Sequence, residues 1–217
     1  FITCKDSEGN GSPVEFRFNG WGNKFNAAED NLANQRYLAS MCKSVLRSSP
    51  IVAEGGALEI DEDGHLLSTA QCLLNPERNG DMSLSAYEDA FKDMLGCSKV
   101  TILQHGHLEG DDTDGHIDTL VRFTPNKGLV IQACNNRPND SHFEGLKALC
   151  DECALELPEH EQFHLPLPNI VNDEGSRLPA SYANYLICNN AILLPVYGEE
   201  EDAEAIETVK RAHPNHI

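Results

Sequence analysis

The 217-residue chain lacks any apolar run approaching the roughly 20 residues an α-helix needs to cross a bilayer, which argues against a helical membrane protein. Its opening residues, FITCKDSEGNGS, carry neither the basic nor the apolar region of a secretory leader, and there is no initiator methionine. Basic residues are scarce, with 16 Lys and Arg against 35 Asp and Glu and a formal charge of −19. Nucleic acid is therefore a poor partner, because phosphate binding needs clustered Lys and Arg. Such a charge either serves solubility or, if a site exists to use it, draws in a cationic substrate. The eight cysteines show no framework spacing, so reduced thiols in a cytoplasmic protein are the expectation. Cys150 and Cys153 form a CxxC inside an apparent helix with no second pair, which reads as two buried thiols rather than zinc or redox chemistry.

What the chain does have is repetition. Two strands, a helix and a third strand recur with first strands near residues 1, 57, 118 and 183, a period of roughly 55 to 65 residues. The first unit places strands at Phe1 to Cys4 and Val14 to Phe18, and a helix with Leu38, Met41, Cys42, Val45 and Leu46 on one face. In the second, ALEI and HLLST flank a tight turn at Asp63-Gly64. A capping box at Ser85 and Glu88 then starts a helix striped by Leu84, Tyr87, Phe91 and Met94, and Gly96 stops it before KVTIL. The third unit uses TLVRF, LVIQA, a capping box at Ser141 and Glu144, and QFHLPLP. The fourth uses YANYLIC, AILLPVY and a helix near Ala203 to Ala212. The expected class is α/β, one partial catalytic domain over 1–217 with approximate modules 1–55, 56–110, 116–168 and 181–217. Opening in a strand and closing as another begins, near His216, the chain reads as a piece of a longer one. Its terminal modules are expected to expose apolar faces, favouring a homodimer or aggregation.

The polar residues gather in equivalent loops, between the third strand of one unit and the hairpin of the next. Glu54 stands in the first of these, and the second runs from His105 to Asp118. Units arranged around an axis would bring a Glu, a His and an Asp together. A histidine oriented by a carboxylate is the usual acid/base near neutral pH, and a further carboxylate can grip a planar guanidinium through paired hydrogen bonds.

Five stretches carry a family resemblance in the expected order: FNGWG (18–22), EGG (54–56), CLLNPERN (72–79), TDGHID (113–118) and LPASYANYLICN (178–189). The chain resembles the agmatine deiminases and the related bacterial-type peptidylarginine deiminases. The resemblance implies an incomplete pseudo-five-fold α/β-propeller of ββαβ modules. It also implies hydrolysis of a guanidinium group to a ureido group plus ammonia through a Cys thiouronium intermediate, without metal or cofactor. Agmatine, giving N-carbamoylputrescine for polyamine synthesis, is the first expected substrate, and peptidyl arginine, giving citrulline, the alternative. His116 would be the general acid/base, Asp118 the guanidinium-binding carboxylate, Glu54 the acid orienting His116, and Trp21 a wall of the pocket. Asp112 would reach a distal amine of the substrate.

The match departs from the family's pattern in two places. The nucleophilic Cys of a glycine-rich HC segment and the Asp of an RD motif are both absent from this sequence. Two other classes stay open on the residues alone: a metal-dependent hydrolase using His105 and His107 with His116 and Asp118, and a non-catalytic binding module.

Overall fold

A computed structural model describes residues 2–5, 8–38 and 45–217. Three small sheets share one topology, an antiparallel hairpin whose second strand pairs in parallel with a third. They are β1 (Ile2–Lys5), β2 (Gly11–Arg17) and β3 (Arg47–Val52); β4 (Glu59–Ile60), β5 (His65–Thr69) and β6 (Lys99–Leu103); and β7 (Val121–Thr124), β8 (Gly128–Gln132) and β9 (Glu161–Leu165). The parallel pairs run in unbroken register from His65↔Lys99 to Thr69↔Leu103 and from Gly128↔Glu161 to Gln132↔Leu165, whereas β2 and β3 slip between Glu15 and Arg17. A two-stranded hairpin, β10 (Leu186–Cys188) and β11 (Ala191–Leu193), follows. Ile217 donates from N to the Asn190 carbonyl and accepts from Ile192 N, at 2.8 and 3.0 Å, bonding it beside β11.

The central strands explain the near-continuous apolar runs of the sequence: β5 and β8 are buried along their whole length, as strands covered on both faces must be. Helix α1 (Leu84–Leu95) packs Tyr87 and Phe91 against Leu66 and Leu73. Helix α2 (Phe143–Glu156) sets Leu146, Leu149, Cys150 and Cys153 against Leu103, Leu129 and Ile131, joining the second sheet to the third. Helix α3 (Asp202–Ala212) lays Ala205, Val209 and Ala212 on Val130 and Leu165. The cysteines of the CxxC are thus buried free thiols, and all seven cysteines among the described residues are free.

Several elements differ from the sequence reading for local reasons. The α1 cap is Ser83, whose side chain accepts from Ala86 N, so Ser85 stands inside the first turn. The α2 cap is His142, held by Asp140 Oδ1 accepting from its backbone N at 3.0 Å, rather than Ser141. Gly96 does close α1, at φ 73°. YANYLIC is strand only from Leu186. Upstream, Tyr182 OH bonds Asp202 Oδ1 (2.7 Å), Tyr182 N bonds Gln132 Oε1 (3.1 Å) and Tyr185 OH bonds His213 Nε2 (2.8 Å), so side-chain anchors replace the strand ladder. In the first unit, Met41 and Cys42 and the side chain of Leu38 lie outside the described residues, and Val45 is 86% exposed. The last hairpin exposes Leu186, Ile187 and Leu193.

Candidate active site

Glu54 follows β3 in extended conformation (φ −91°, ψ 150°), and Gly55–Ala57 then close a 3₁₀ turn. His116 opens a second such turn, Ile117–Thr119. Ile117 is fully buried and anchors that turn in the core, while His116 and Asp118 on either side of it face the same cleft as Glu54. Gly56 is where the two turns meet. A Cβ there would stand 2.5 Å from Asp118 Oδ2 and 2.7 Å from His116 Nδ1, so only glycine admits both side chains.

The loop leading to His116 is built by its own acids. Asp111 accepts from Thr113 N and Oγ1 with one carboxylate oxygen (2.8 and 2.6 Å) and from Gly115 N with the other (2.7 Å). Asp114 and Gly115 take φ of 66° and 77°, and Thr69 Oγ1 donates to the Gly115 carbonyl at 2.7 Å. Asp114 accepts from Lys24 Nζ (2.7 Å), Asn75 Nδ2 (2.8 Å) and Arg78 Nη1 (2.8 Å), tying three segments together. Burial works against its charge, but these donors outweigh it and hold the carboxyl below the usual range.

The cleft has a volume of about 460 Å³, and its walls include Phe16, Trp21, Glu54, His116, Asp118 and Asn184, drawn from well-separated parts of the chain. Trp21 sits in the turn Gly20–Asn23, whose four residues all have positive φ, between 56° and 77°. A tryptophan there is costly, of the order of 1–3 kcal/mol. Asn19 and Asn23 donate to the Glu77 carbonyl (2.8 and 3.0 Å), and Phe18 and Phe25 pack edge-on to the indole, holding the turn in place.

Glu54 and His116 are each 6% exposed, with Oε2 and Nε2 3.8 Å apart, an electrostatic contact beyond hydrogen-bond reach. His116 Nε2 is buried and has no hydrogen-bond partner among the described residues. Burial raises the cost of charge on Glu54, yet His116 and Arg78 together prevail and hold its carboxyl below the ordinary value. Asp118 differs: burial dominates and pushes its carboxyl up, with His116 and Arg122 offsetting only part. Among the described residues Asp118 has no ion pair within 4 Å. A partly buried carboxylate without a cation is a ready receptor for one that arrives.

Asp112 is not brought to the cleft. It is exposed, and its backbone carbonyl accepts from Lys24 Nζ at 2.5 Å. His105 and His107 are likewise exposed and do not join His116 and Asp118 as a ligand set; Glu54, Cys72 and His116 instead bring potential ligand atoms within 4.8 Å of one another. That trio is ill suited to an ion, because Arg78 sits on the Glu54 carboxylate and burial pushes the Cys72 thiol up to about 12.

Arg78 is the residue that sequence reasoning passed over. It stood within CLLNPERN, quoted for its resemblance but given no role, and the available signal was an arginine in a motif of an acid-rich chain. The side chain is fully buried, with Nε donating to both Glu54 oxygens (3.0 and 3.1 Å), Nη1 to Asp114 Oδ2 (2.8 Å) and Nη2 to the Thr113 carbonyl (2.8 Å).

The family model described as Porphyromonas-type peptidyl-arginine deiminase matches residues 1–217. A C. jejuni agmatine deiminase, solved as a Cys-to-Ser variant with substrate bound, is similar at 32% identity and a TM-score of 0.89, over 95% of this chain and 61% of that one. The Enterococcus faecalis agmatine deiminase gives 25% identity and a TM-score of 0.83, over 98% and 65%. The Medicago truncatula agmatine deiminase is 29% identical over 97% of this chain and 63% of its own length. The chain thus spans somewhat under two thirds of the length of these relatives, and it belongs to the Porphyromonas-type peptidyl-arginine deiminase family.

Proposed function

We propose that the full-length protein hydrolyses a guanidinium group to a ureido group and ammonia, with agmatine as substrate and N-carbamoylputrescine as product. The observation that carries this reading is the pairing of His116 with an Asp118 carboxylate that has no ion-pair partner among the described residues, side by side at Gly56 in a half-open cleft. Asp118 receives the guanidinium and holds its plane, Trp21 lies along the cation and its alkyl chain, and Glu54 keeps His116 in place.

The bond-making step uses a thiolate that adds to the guanidinium carbon. His116, carrying the proton it has taken from the thiol, delivers it to the departing nitrogen, which leaves as ammonia, and the carbon stays bonded to sulfur as a thiouronium. His116 then takes a proton from water as its oxygen attacks the same carbon; the C–S bond breaks, the sulfur recovers that proton from His116, and the hydroxyl proton of the new urea is lost to solvent. None of the described cysteines lines the cleft. Cys72 is the one nearest Glu54, and burial pushes its thiol to about 12; Cys97, Cys134, Cys150 and Cys153 are buried too. In this reading the nucleophile is the cysteine of the HC segment that the resembling family carries and that does not occur in these 217 residues.

The same reading makes the three hairpin-plus-parallel-strand sheets, with the β10–β11 hairpin, modules of an α/β-propeller whose equivalent loops face one axis. Seven free thiols suit a reducing cytoplasm. Peptidyl arginine, giving citrulline, is the second reading, favoured by the name of the matching family. A panel of agmatine, free arginine and an arginine peptide, read by ammonia release and by mass of the ureido product, decides between them. Agmatine turned over with the highest kcat/KM supports the proposal, and no ammonia from any of the three overturns it.

A further inference from the structure

We propose that Arg78 is a positioning residue for this reaction: it fixes Glu54 as an ionised acceptor, which keeps the His116 proton on Nε2 and leaves Nδ1 free to move the reacting proton. The inference rests on the deiminase reading above and adds a residue to it.

Arg78 cannot touch a substrate. Its side chain is fully buried, and Nε, Nη1 and Nη2 already donate to Glu54, Asp114 and the Thr113 carbonyl. It can act only through what it holds. Its own position is fixed from both sides: Asn75 caps the turn Pro76–Asn79 by accepting from Glu77 N, and Asn79 bonds both the N and the O of Val52 at 2.8 Å, two residues before Glu54. The guanidinium and the carboxylate it serves are therefore anchored to the same strand end.

The groups facing Glu54 are Arg78, the His116 imidazole and the Cys72 thiol, 4.0 Å from Oε2, which stays neutral. Nε2 is the nitrogen turned toward Glu54, 3.8 Å from Oε2, and a carboxylate charge at that distance favours an N–H dipole over a lone pair facing it, which sets the ring hydrogen on Nε2. The other nitrogen, Nδ1, lies on the Gly56 and Asp118 side of the ring and is the one left to gain and lose the reacting proton. Without Arg78 the burial cost of the Glu54 charge remains while a cation that offsets it is lost. Glu54 then takes up a proton more readily and loses its charge. The field that favours hydrogen on Nε2 goes with it, the ring hydrogen shifts toward Nδ1, and the base is disabled toward the cleft.

The test uses the full-length protein and two readouts, the pH profile of kcat/KM for ammonia release and the ¹⁵N spectrum of the His116 ring. In the neutral ring, wild type is expected to carry the hydrogen on Nε2. Arg78→Gln should move the acid limb of the profile up by about one pH unit or more and shift the ring hydrogen to Nδ1. Arg78→Lys keeps the charge but loses the fork. It should retain the wild-type acid limb and ring form while kcat falls about tenfold or more and KM stays within about twofold. A wild-type limb and ring form in Arg78→Gln would reduce Arg78 to a structural residue and overturn the proposal. So would a ring protonated at Nδ1 in Arg78→Lys, the variant that decides the matter if Arg78→Gln fails to fold. If wild type releases no ammonia from any guanidine, the deiminase reading fails, while the ring spectrum still reports whether Arg78 sets the His116 proton.

Discussion

Asp118 Oδ2 and His116 Nδ1 both lie within 2.7 Å of the point where a Gly56 Cβ would stand, so one hydrogen atom on residue 56 is all that lets a carboxylate and an imidazole share a wall. Gly56→Ala should therefore push the two side chains out of register without unfolding the protein, since the glycine has no positive φ to protect. A fall of about 100-fold in kcat/KM is expected, with the unfolding midpoint close to wild type. Ammonia release and a thermal melt measure the two halves, and full activity in the alanine variant would show that the pair tolerates displacement.

Asp118 is held at a cost. Burial raises its carboxyl above the ordinary value, so at neutral pH the ionised form is less stable in the fold than in the unfolded chain. Stability from this group is present at low pH and is lost as pH climbs from the unfolded value through the raised folded one. Asp118→Asn should accordingly melt at a higher temperature than wild type at pH 7 while losing turnover, a trade between stability and function. A lower melting temperature would mean that Asp118 is paid for by contacts in the fold itself.

Glu54 has the opposite sign. Its folded value lies below 4.5, so its contribution is present above the unfolded value and disappears as pH falls through the folded one. Glu54→Gln leaves the buried Arg78 with Asp114 as its remaining carboxylate and should cost roughly 3 kcal/mol at neutral pH. Urea unfolding between about pH 7 and about pH 3 should show the gap between variant and wild type closing on the acid side. A constant gap would contradict the ionised state assigned to Glu54.

Cys72 lies 4.0 Å from Glu54, near enough to the Glu54 and His116 side chains to be mistaken for the nucleophile of the proposed reaction. Its thiol, pushed up to about 12, is protonated at neutral pH and unreactive. Cys72→Ser in the full-length protein should keep activity within a few-fold, and iodoacetamide should label Cys72 far more slowly than the exposed Cys188. Abolished turnover with an intact fold would return Cys72 to the mechanism.

Much of the architecture was legible because it rests on local rules. Alternation of hairpin, helix and strand, the turn at Asp63-Gly64 and the stop at Gly96 each follow from periodicity or from a residue able to take positive φ. The convergence of Glu54 with His116 and Asp118 was legible through repetition, since equivalent loops of a repeated unit end up at equivalent places. Where two serines compete, as Ser83 and Ser85 do, pattern alone cannot tell which one holds the helix start. YANYLIC alternates like a strand, but its first tyrosines are claimed by Gln132, Asp202 and His213, partners distant in sequence. Arg78 was hidden for the same reason: its four acceptor oxygens, on Glu54, Thr113 and Asp114, lie at least 24 residues away.

The central claim is that Glu54, His116 and Asp118 act together on a bound guanidinium. Its most direct test is ammonia release from agmatine by the full-length protein and by Glu54→Gln, His116→Asn and Asp118→Asn. The account predicts a loss of about 100-fold or more in kcat/KM for each variant, with folding retained. Any one of the three turning over at the wild-type rate would contradict it.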